Sequence, residues 1–525
     1  MAGGRGGRGQ ARWTEVFAAA APSGIVERML FNEIVQTSMR VAATGSRTAK
    51  VAALAETLAH ADGTELEIAA HYLSGSLRQR RTGVGWRSLV TRPEPAAEPG
   101  LSLAGVDAAF AELSLLAGTG SQAARQGLLA ELLSRATAAE QEFLAGLVTG
   151  ETRQGALEGV LLPAIAQAFA VPLDAVRRAA MFAGSIPVVA VAAASGGEPA
   201  LAEITLKVGR PVLPMLASSA PDIAAGLERF GLGTPVALEA KLDGIRIQVH
   251  RDGDRISVYS RSLDDITARL PAVVAAAAAL PAQRLVLDGE ALSLRPDGRP
   301  MMFQDTASAS SALMPFFFDL LHVDDLDLVD EPTTVRYSRL AQLVPRELLV
   351  DRLVTTDPQE AEKFSREVLA SGHEGVVLKA LDAGYAAGRR GASWVKVKPV
   401  HTLDLVVLAV EWGSGRRRGR LSNIHLGARD PESGGFVMLG KTFKGMTDQM
   451  LAWQTERFLE LETHRDGHVV FVRPEQVVEI AFDGLQRSTR YPGGVALRFA
   501  RVVRYREDKS ATDADTLATG RALGG

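Results

Sequence analysis

The sequence predicts a multidomain chain: an all-α N-terminal domain, a mixed α/β domain, and a C-terminal β-barrel. Three observations predict it. The chain has 525 residues, room for about three domains on the usual ~150-residue prior. Hydrophobic residues make up 46% of it and charged residues 23%, so each domain can bury a core. The apolar period also changes twice, from a spacing of three and four, to alternation mixed with helices, to short alternating strands.

Residues 1–28 are rich in Gly, Ala and Arg and read as a disordered extension, with no continuous apolar run of the kind a secretory signal needs. Residues 29–205 read as helices, with three-and-four apolar spacing over Thr48–Ala59, Gln122–Glu140 and Gly155–Ala170. Breaks rich in Gly and Pro, Arg92–Gly100 and Gly196–Pro199, separate them.

Residues 206–399 form the α/β domain. Val236, Leu238, Ala240 and Leu242 alternate with Glu239, Lys241 and Asp243, which puts three ionisable side chains on one strand face. After Gly244 the phase flips to Ile245, Ile247 and Val249, so a bend is expected beside Lys241. Asp252-Gly253 signals a hairpin before Ile256–Tyr259. Further strands are expected at Arg284–Leu287, Phe316–Leu321, Val376–Lys379 and Trp394–Lys398.

Residues 400–515 carry short strands at Leu403–Glu411, Ile424–Ala428, Phe436–Leu439, Val469–Val472, Val477–Phe482 and Ala496–Tyr505. Five or six strands in this span suit a small OB-type barrel, a fold that binds nucleic acids. Residues 516–525 are a tail, and no internal repeat is found.

Composition excludes some chemistry. There is no cysteine, hence no disulfide, thiol catalysis or cysteine-held zinc, which fits a reducing compartment. The apolar run Leu270–Ala282 holds Pro271 and Pro281 and is too short to span a membrane. A net charge of −3 leaves room for local basic patches that bind nucleic acid.

Five short elements follow in fixed order. They are Glu239-Ala240-Lys241-Leu242-Asp243-Gly244-Ile245-Arg246, Leu287–Glu290, His373–Lys379, Trp394–Lys398 and Arg504–Lys509. Alone, Lys241 is a strand-edge surface lysine, Asp288-Gly289 an ordinary turn, and Lys396 and Lys398 the solvated face of an edge strand. Phe316–Phe318 alone reads mostly as core. Together the five point to a lysine that attacks a nucleoside triphosphate and carries the nucleotide covalently. Such a lysine must be neutral when it attacks, a form favoured by nearby cations, burial or a bound metal. Lys379, Lys396 and Lys398 suit a triphosphate, and Glu290 and Glu374 suit ribose hydroxyls or Mg²⁺.

These motifs resemble the ATP-dependent DNA ligases, most closely the bacterial, actinobacterial-type three-domain form, over about residues 29–515. The run Arg498-Phe499-Ala500-Arg501-Val502-Val503-Arg504-Tyr505-Arg506-Glu507-Asp508-Lys509 is similar to the family's closing motif, with Ala500 where proline is usual. The resemblance implies a helical DNA-binding domain, an adenylating nucleotidyltransferase domain and an OB-fold domain. It implies Lys241 as the nucleophile that takes AMP, Glu239 by the adenine, Asp243 assisting the phosphoryl chemistry and Arg246 on the 5′-phosphate of a nick. Arg261 would contact the ribose, in a motif where Ser262 stands for the usual asparagine. Glu290 would contact ribose or metal, Phe318 would stack on adenine, and Glu374 would help with metal and transfer. Lys379, Lys396 and Lys398 would hold the α-phosphate, and Arg506, Asp508 and Lys509 would close over ATP. The last domain would then turn on a linker near Pro399–Thr402 to reach DNA.

The implied partner is nicked double-stranded DNA and the implied cofactors are ATP and Mg²⁺. The setting would be replication, repair and recombination, in the cytoplasm at the nucleoid. The protein would act as a monomer, with no membrane and no particular protein partner indicated. Basic clusters suit phosphates without reading sequence: Arg78, Arg80, Arg81 and Arg87 in an acid-free stretch, Arg416, Arg417, Arg418 and Arg420 in a barrel loop, and Lys441 with Lys444. Arg153 lies in Gly150–Gly155, a stretch that resembles part of the family's DNA-gripping domain.

Four other readings are weighed. An RNA-capping nucleotidyltransferase or an RNA ligase would lack the N-terminal helical domain. An NAD-dependent DNA ligase would carry a four-cysteine zinc site. A catalytically dead DNA clamp would not need Lys241, Asp243, Glu290, Glu374, Lys396 and Lys398 together.

Overall fold

The computed structural model describes residues 28–79, 82–150, 152, 157–301, 313–386, 390–414 and 417–522. Arg80, Arg81, Arg153 and Arg416 therefore lie outside the described residues.

Helices fill the first part, from Phe31–Ala43 to Ile186–Ala202. Phe31 is fully buried and meets Tyr72 edge-on at 6.0 Å and Phe143 at 5.8 Å, which ties three helices together. One expectation needs correction here. The stretch Gln122–Glu140 holds two helices, Ser121–Ser134 and Ala138–Thr149, because Thr137 and Glu140 form a capping box that starts the second. The expected break at Gly196–Pro199 is present: Gly197 takes a non-helical φ of 60° and kinks the chain within Ile186–Ala202. No helix among the described residues is long and apolar enough to cross a membrane.

Among the described residues, the α/β part is built on two five-stranded sheets. One holds β1 (Leu216–Ala220), β2 (Val236–Lys241), β8 (Arg352–Thr355), β9 (Gly375–Ala380) and β10 (Arg390–Val397), in the order β1-β10-β9-β2-β8. The other holds β3 (Ile245–Asp252), β4 (Arg255–Ser260), β5 (Arg284–Leu292), β6 (Met314–Val323) and β7 (Leu326–Asp327), in the order β4-β3-β5-β6-β7. The phase flip after Gly244 is thus more than a bend: the chain leaves one sheet and enters the other.

That crossing needs glycine. A Cβ on Gly244 would lie 2.4 Å from the Ala291 carbonyl oxygen. Gly375, opposite Lys241 on β9, has φ +144°, and a Cβ there would lie 2.3 Å from the Val397 carbonyl oxygen. One face of β2, with Leu238 and Ala240, packs in a cluster with Ala361 and Val368 of the helix Pro358–Ala370. The other face carries Glu239 and Lys241.

Only Lys398–Val400 separate β10 from β11 (His401–Trp412), the first strand of the last part. Among the described residues, seven strands there share one sheet: β11, β12 (Leu421–Asp430), β13 (Gly435–Thr442), β14 (Glu462–Asp466), β15 (Val469–Val472), β16 (Val477–Phe482) and β19 (Arg501–Arg506). A hairpin of β17 (Gly484–Arg487) and β18 (Val495–Arg498) stands beside it. The described strands outnumber the five or six expected. The expected strand Ala496–Tyr505 is two strands, because Phe499 takes a left-handed φ of 54° between β18 and β19. The architecture is helical, then nucleotidyltransferase-like α/β, then OB-like.

Candidate active site

A cleft of about 610 Å³ opens between the two α/β sheets. It is lined by all eleven residues of that domain to which nucleotide chemistry is assigned above: Glu239, Lys241, Asp243, Arg246, Arg261, Glu290, Phe318, Glu374, Lys379, Lys396 and Lys398. The strands explain the convergence. Lys241 ends β2, Arg246 on β3 pairs across from Glu290 on β5, and Lys379 on β9 pairs across from Trp394 on β10.

Most of these charged groups have a partner. The Lys241 ammonium is hydrogen-bonded to the Glu374 carboxylate, and the Glu374 amide donates to the Lys241 carbonyl at 3.1 Å. Glu239, almost fully buried, is held by Arg352 through one oxygen and by Lys379 through the other. Lys379 also lies 4.8 Å from the Phe318 ring centroid and 4.1 Å from that of Trp394. Burial lowers its pKa from the ordinary lysine value. Arg246 donates to both oxygens of Asp288, at 2.9 and 2.6 Å, and to the Met215 carbonyl at 3.2 Å, with its guanidinium 5.0 Å from the Phe318 ring centroid. It forms a fixed floor, already occupied by a carboxylate. Arg261 is exposed at the cleft edge. Of the three phenylalanines, only Phe317 is fully buried, so the expectation that most are core is corrected; half-buried Phe318 faces the cleft.

Glu290 is the strongest perturbed acid of the cleft. Burial pushes its pKa up to about 7, against the pull of Arg246 and Lys241. Glu290 and Glu374 are two oxygen-donor side chains near Lys241. No group of three or more His, Asp or Glu converges among the described residues. Among the described residues, seven lysines and arginines line the cleft against four carboxylates, a balance suited to a polyanion.

The last part contributes groups that sequence reasoning missed. Arg498 and Phe499 line the cleft, and Arg498 donates to Asp243 at 2.7 Å. Lys398 is paired with Asp483, which also accepts from Arg501 at 3.3 Å. Arg352 and Asp288 were missed as the partners of Glu239 and Arg246. The available signal was the closing run itself, which begins at Arg498.

Arg506, Asp508 and Lys509 do not line this cleft while Arg498 is docked on Asp243. Arg506 binds Asp508 at 2.6 Å and Asp404 at 3.0 Å, and Lys509 binds Asp404 at 2.6 Å, all within the last part. The docked Arg498 side of that part leaves them elsewhere.

The basic clusters divide. Arg87 and Arg418 are exposed. Lys444 is exposed beside the Phe499 ring, 5.7 Å from its centroid. Arg417 donates to the Phe443 carbonyl at 2.5 Å. Two of the expected cations have acidic partners distant in sequence: Arg78 is paired with Asp107 at 2.8 Å and with Glu67 at 3.6 Å, and Lys441 with Glu411.

Comparisons with known proteins agree with this arrangement. Family models match in chain order: "DNA ligase N terminus" over residues 87–166, "ATP dependent DNA ligase domain" over 214–398, and "ATP dependent DNA ligase C terminal region" over 417–509. A protein of Nocardioides sp. named "Probable DNA ligase" is 62% identical over 505 residues, covering 94% of this chain and 99% of that relative. One of the same name from Mycolicibacterium vanbaalenii is 57% identical over 531 residues, with the same coverage. The solved structure named Pmar-Lig_PreS3 covers 90% of this chain and 99% of its own, with a TM-score of 0.59 at 18% identity, a likeness of fold.

Proposed function

The chain belongs to the family of ATP-dependent DNA ligases, and from that premise we propose that it seals nicks in duplex DNA through an AMP carried on Lys241. The contact between Lys241 and Glu374 inside a cationic cleft carries this reading. Glu374 is the group beside Lys241 Nζ that can take its proton. The freed amine forms a bond to the α-phosphorus of ATP as the bond to the β-phosphate oxygen breaks and pyrophosphate leaves. An oxygen of the nick 5′-phosphate then takes the AMP, releasing the lysine. Attack by the 3′-hydroxyl on the activated phosphorus joins the strand and expels AMP.

Phe318 offers the base a ring face, and Glu239 offers it a buried acceptor. Lys396 and Lys398 steady the phosphates, Lys379 holds Glu239 in place at the base end of the cleft, and Arg246 packs on the Phe318 ring. Mg²⁺ usually takes one or two carboxylates together with water and substrate phosphates. Glu290 and Glu374 fit that donor set and would hold it. Bound there, it would neutralise charge on the α-phosphate.

DNA would be gripped by the helical domain, residues 29–205, and by the OB-like domain, residues 400–515, with exposed Arg87, Arg418 and Lys444 on its phosphates. The enzyme would act as a monomer in the cytoplasm. The match to a DNA ligase N terminus weighs against the RNA-capping and RNA-ligase alternatives.

The test is a label and chase. ATP labelled at the α-phosphorus should leave an acid-labile adduct on the wild type and none on Lys241→Ala. Adding 5′-phosphorylated nicked DNA should discharge the label as sealed strands appear. An adduct that discharges only onto RNA ends, or none at all, would overturn the reading.

A further inference from the structure

We propose that Arg352, which does not line the cleft, sets its nucleotide preference by holding Glu239 as a fixed, acceptor-only carboxylate; this rests on the ligase reading above. Arg352 lies on edge strand β8, directly across from Glu239 on β2. Its guanidinium pairs with Oε1 of Glu239, while Lys379 Nζ pairs with Oε2 at 2.5 Å. The three side chains are 6%, 3% and 2% exposed. The guanidinium also sits 3.9 Å from the ring centroid of Tyr337, so both its charge and its plane are fixed.

A carboxylate bound by two cations is ionised and can only accept hydrogen bonds. Each oxygen keeps a lone pair beyond the one its cation uses, and Glu239 lines the cleft on the same strand face as Lys241. A base stacked on Phe318 would turn an edge toward it. Adenine carries an amino donor at C6, which satisfies the acceptor. Hypoxanthine and guanine carry a carbonyl oxygen there, so two acceptors would face each other in a dry site. Buried polar groups left unpaired in this way are a strong means of discrimination. Lys379 alone cannot fix the carboxylate plane, because an ammonium is a point charge on a flexible stem, whereas the arginine fork is planar. Arg352 is therefore a positioning residue for base recognition.

The experiment compares ATP with inosine triphosphate, both labelled at the α-phosphorus, as donors of the Lys241 adduct in the full-length protein. The wild type should prefer ATP. Arg352→Met should narrow that preference at least tenfold, mainly through a higher half-saturating ATP concentration, with the maximal rate changed less. Arg352→Lys should recover part of the preference. A purely structural defect would lower both donors alike and leave the ratio unmoved. An unchanged ratio in Arg352→Met overturns the proposal. Should Arg352→Met lose its cooperative melt, Arg352→Gln and Arg352→Lys are judged by the same ratio. A wild type that accepts both nucleotides equally also overturns it, with the ligase reading intact. A wild type that takes no label would instead remove the ligase reading on which the proposal rests.

Discussion

Arg498 and Asp243 join the first and last motifs of the catalytic region: Nη1 of the arginine lies 2.7 Å from Oδ2 of the aspartate, although 255 residues separate them. The pair fixes which side of the OB-like domain meets the cleft. With Arg498 docked, Arg506 and Lys509 stay on Asp404.

Arg498→Ala should therefore divide the reaction. Sealing of nicked DNA should fall about 10- to 100-fold, the cost of losing a charge-assisted hydrogen bond and leaving Asp243 unpaired. Adduct formation from ATP alone should fall less. Single-turnover measurements of the two steps would check this, and equal losses in both would count against a role confined to the docked arrangement.

Asp404→Asn should do the reverse. An amide cannot neutralise both Arg506 and Lys509, so their placement loosens. We expect adduct formation to slow about tenfold or more. Sealing of a ready-made DNA-adenylate, which does not need pyrophosphate released, should change little.

The pH dependence follows from Glu290. Its folded pKa is raised to about 7 from 4.5 by burial. Below 4.5 both folded and unfolded chains keep the proton and the stabilising contribution is full. As pH rises through about 7 the buried group ionises and that contribution is lost. The ionised form is the one that can bind a cation, so the half-saturating Mg²⁺ concentration should fall as pH rises through about 7. Glu290→Gln should flatten this trend in a Mg²⁺ titration of adduct formation.

Cations that look alike in sequence should behave differently on DNA. Arg87→Ala, Arg418→Ala and Lys444→Ala should each weaken nick binding and lower the slope of log affinity against log salt by about one. Arg78→Ala and Lys441→Ala should hardly alter the slope, because Asp107 and Glu411 already neutralise those charges. Binding isotherms at several salt concentrations would separate the two groups.

The cleft was legible in sequence where it depends on strand period. Alternation puts Glu239 and Lys241 on one face, and short motifs mark the facing strands. What was not legible is pairing across distance. Arg352 is 113 residues from Glu239, and Asp483 is 85 from Lys398. No local pattern records such contacts. The same blindness made Arg78 and Lys441 read as free cations. The left-handed turn at Phe499 had no glycine to announce it. The helix start at Thr137 did have a signal, the Thr-x-x-Glu box, which the apolar spacing around it masked.

The passage of the chain between sheets at Gly244 makes a rivet of that point. The two slabs are joined covalently, and packed backbone to backbone, one turn of chain beyond Lys241. A buried cluster of Met215, Val286, Leu321, Tyr385 and Trp394 bolts the slabs together again at the far side of the cleft. The nucleophile is therefore moored beside a seam fastened at both ends, and its station against Glu374 is set by backbone rather than by loops.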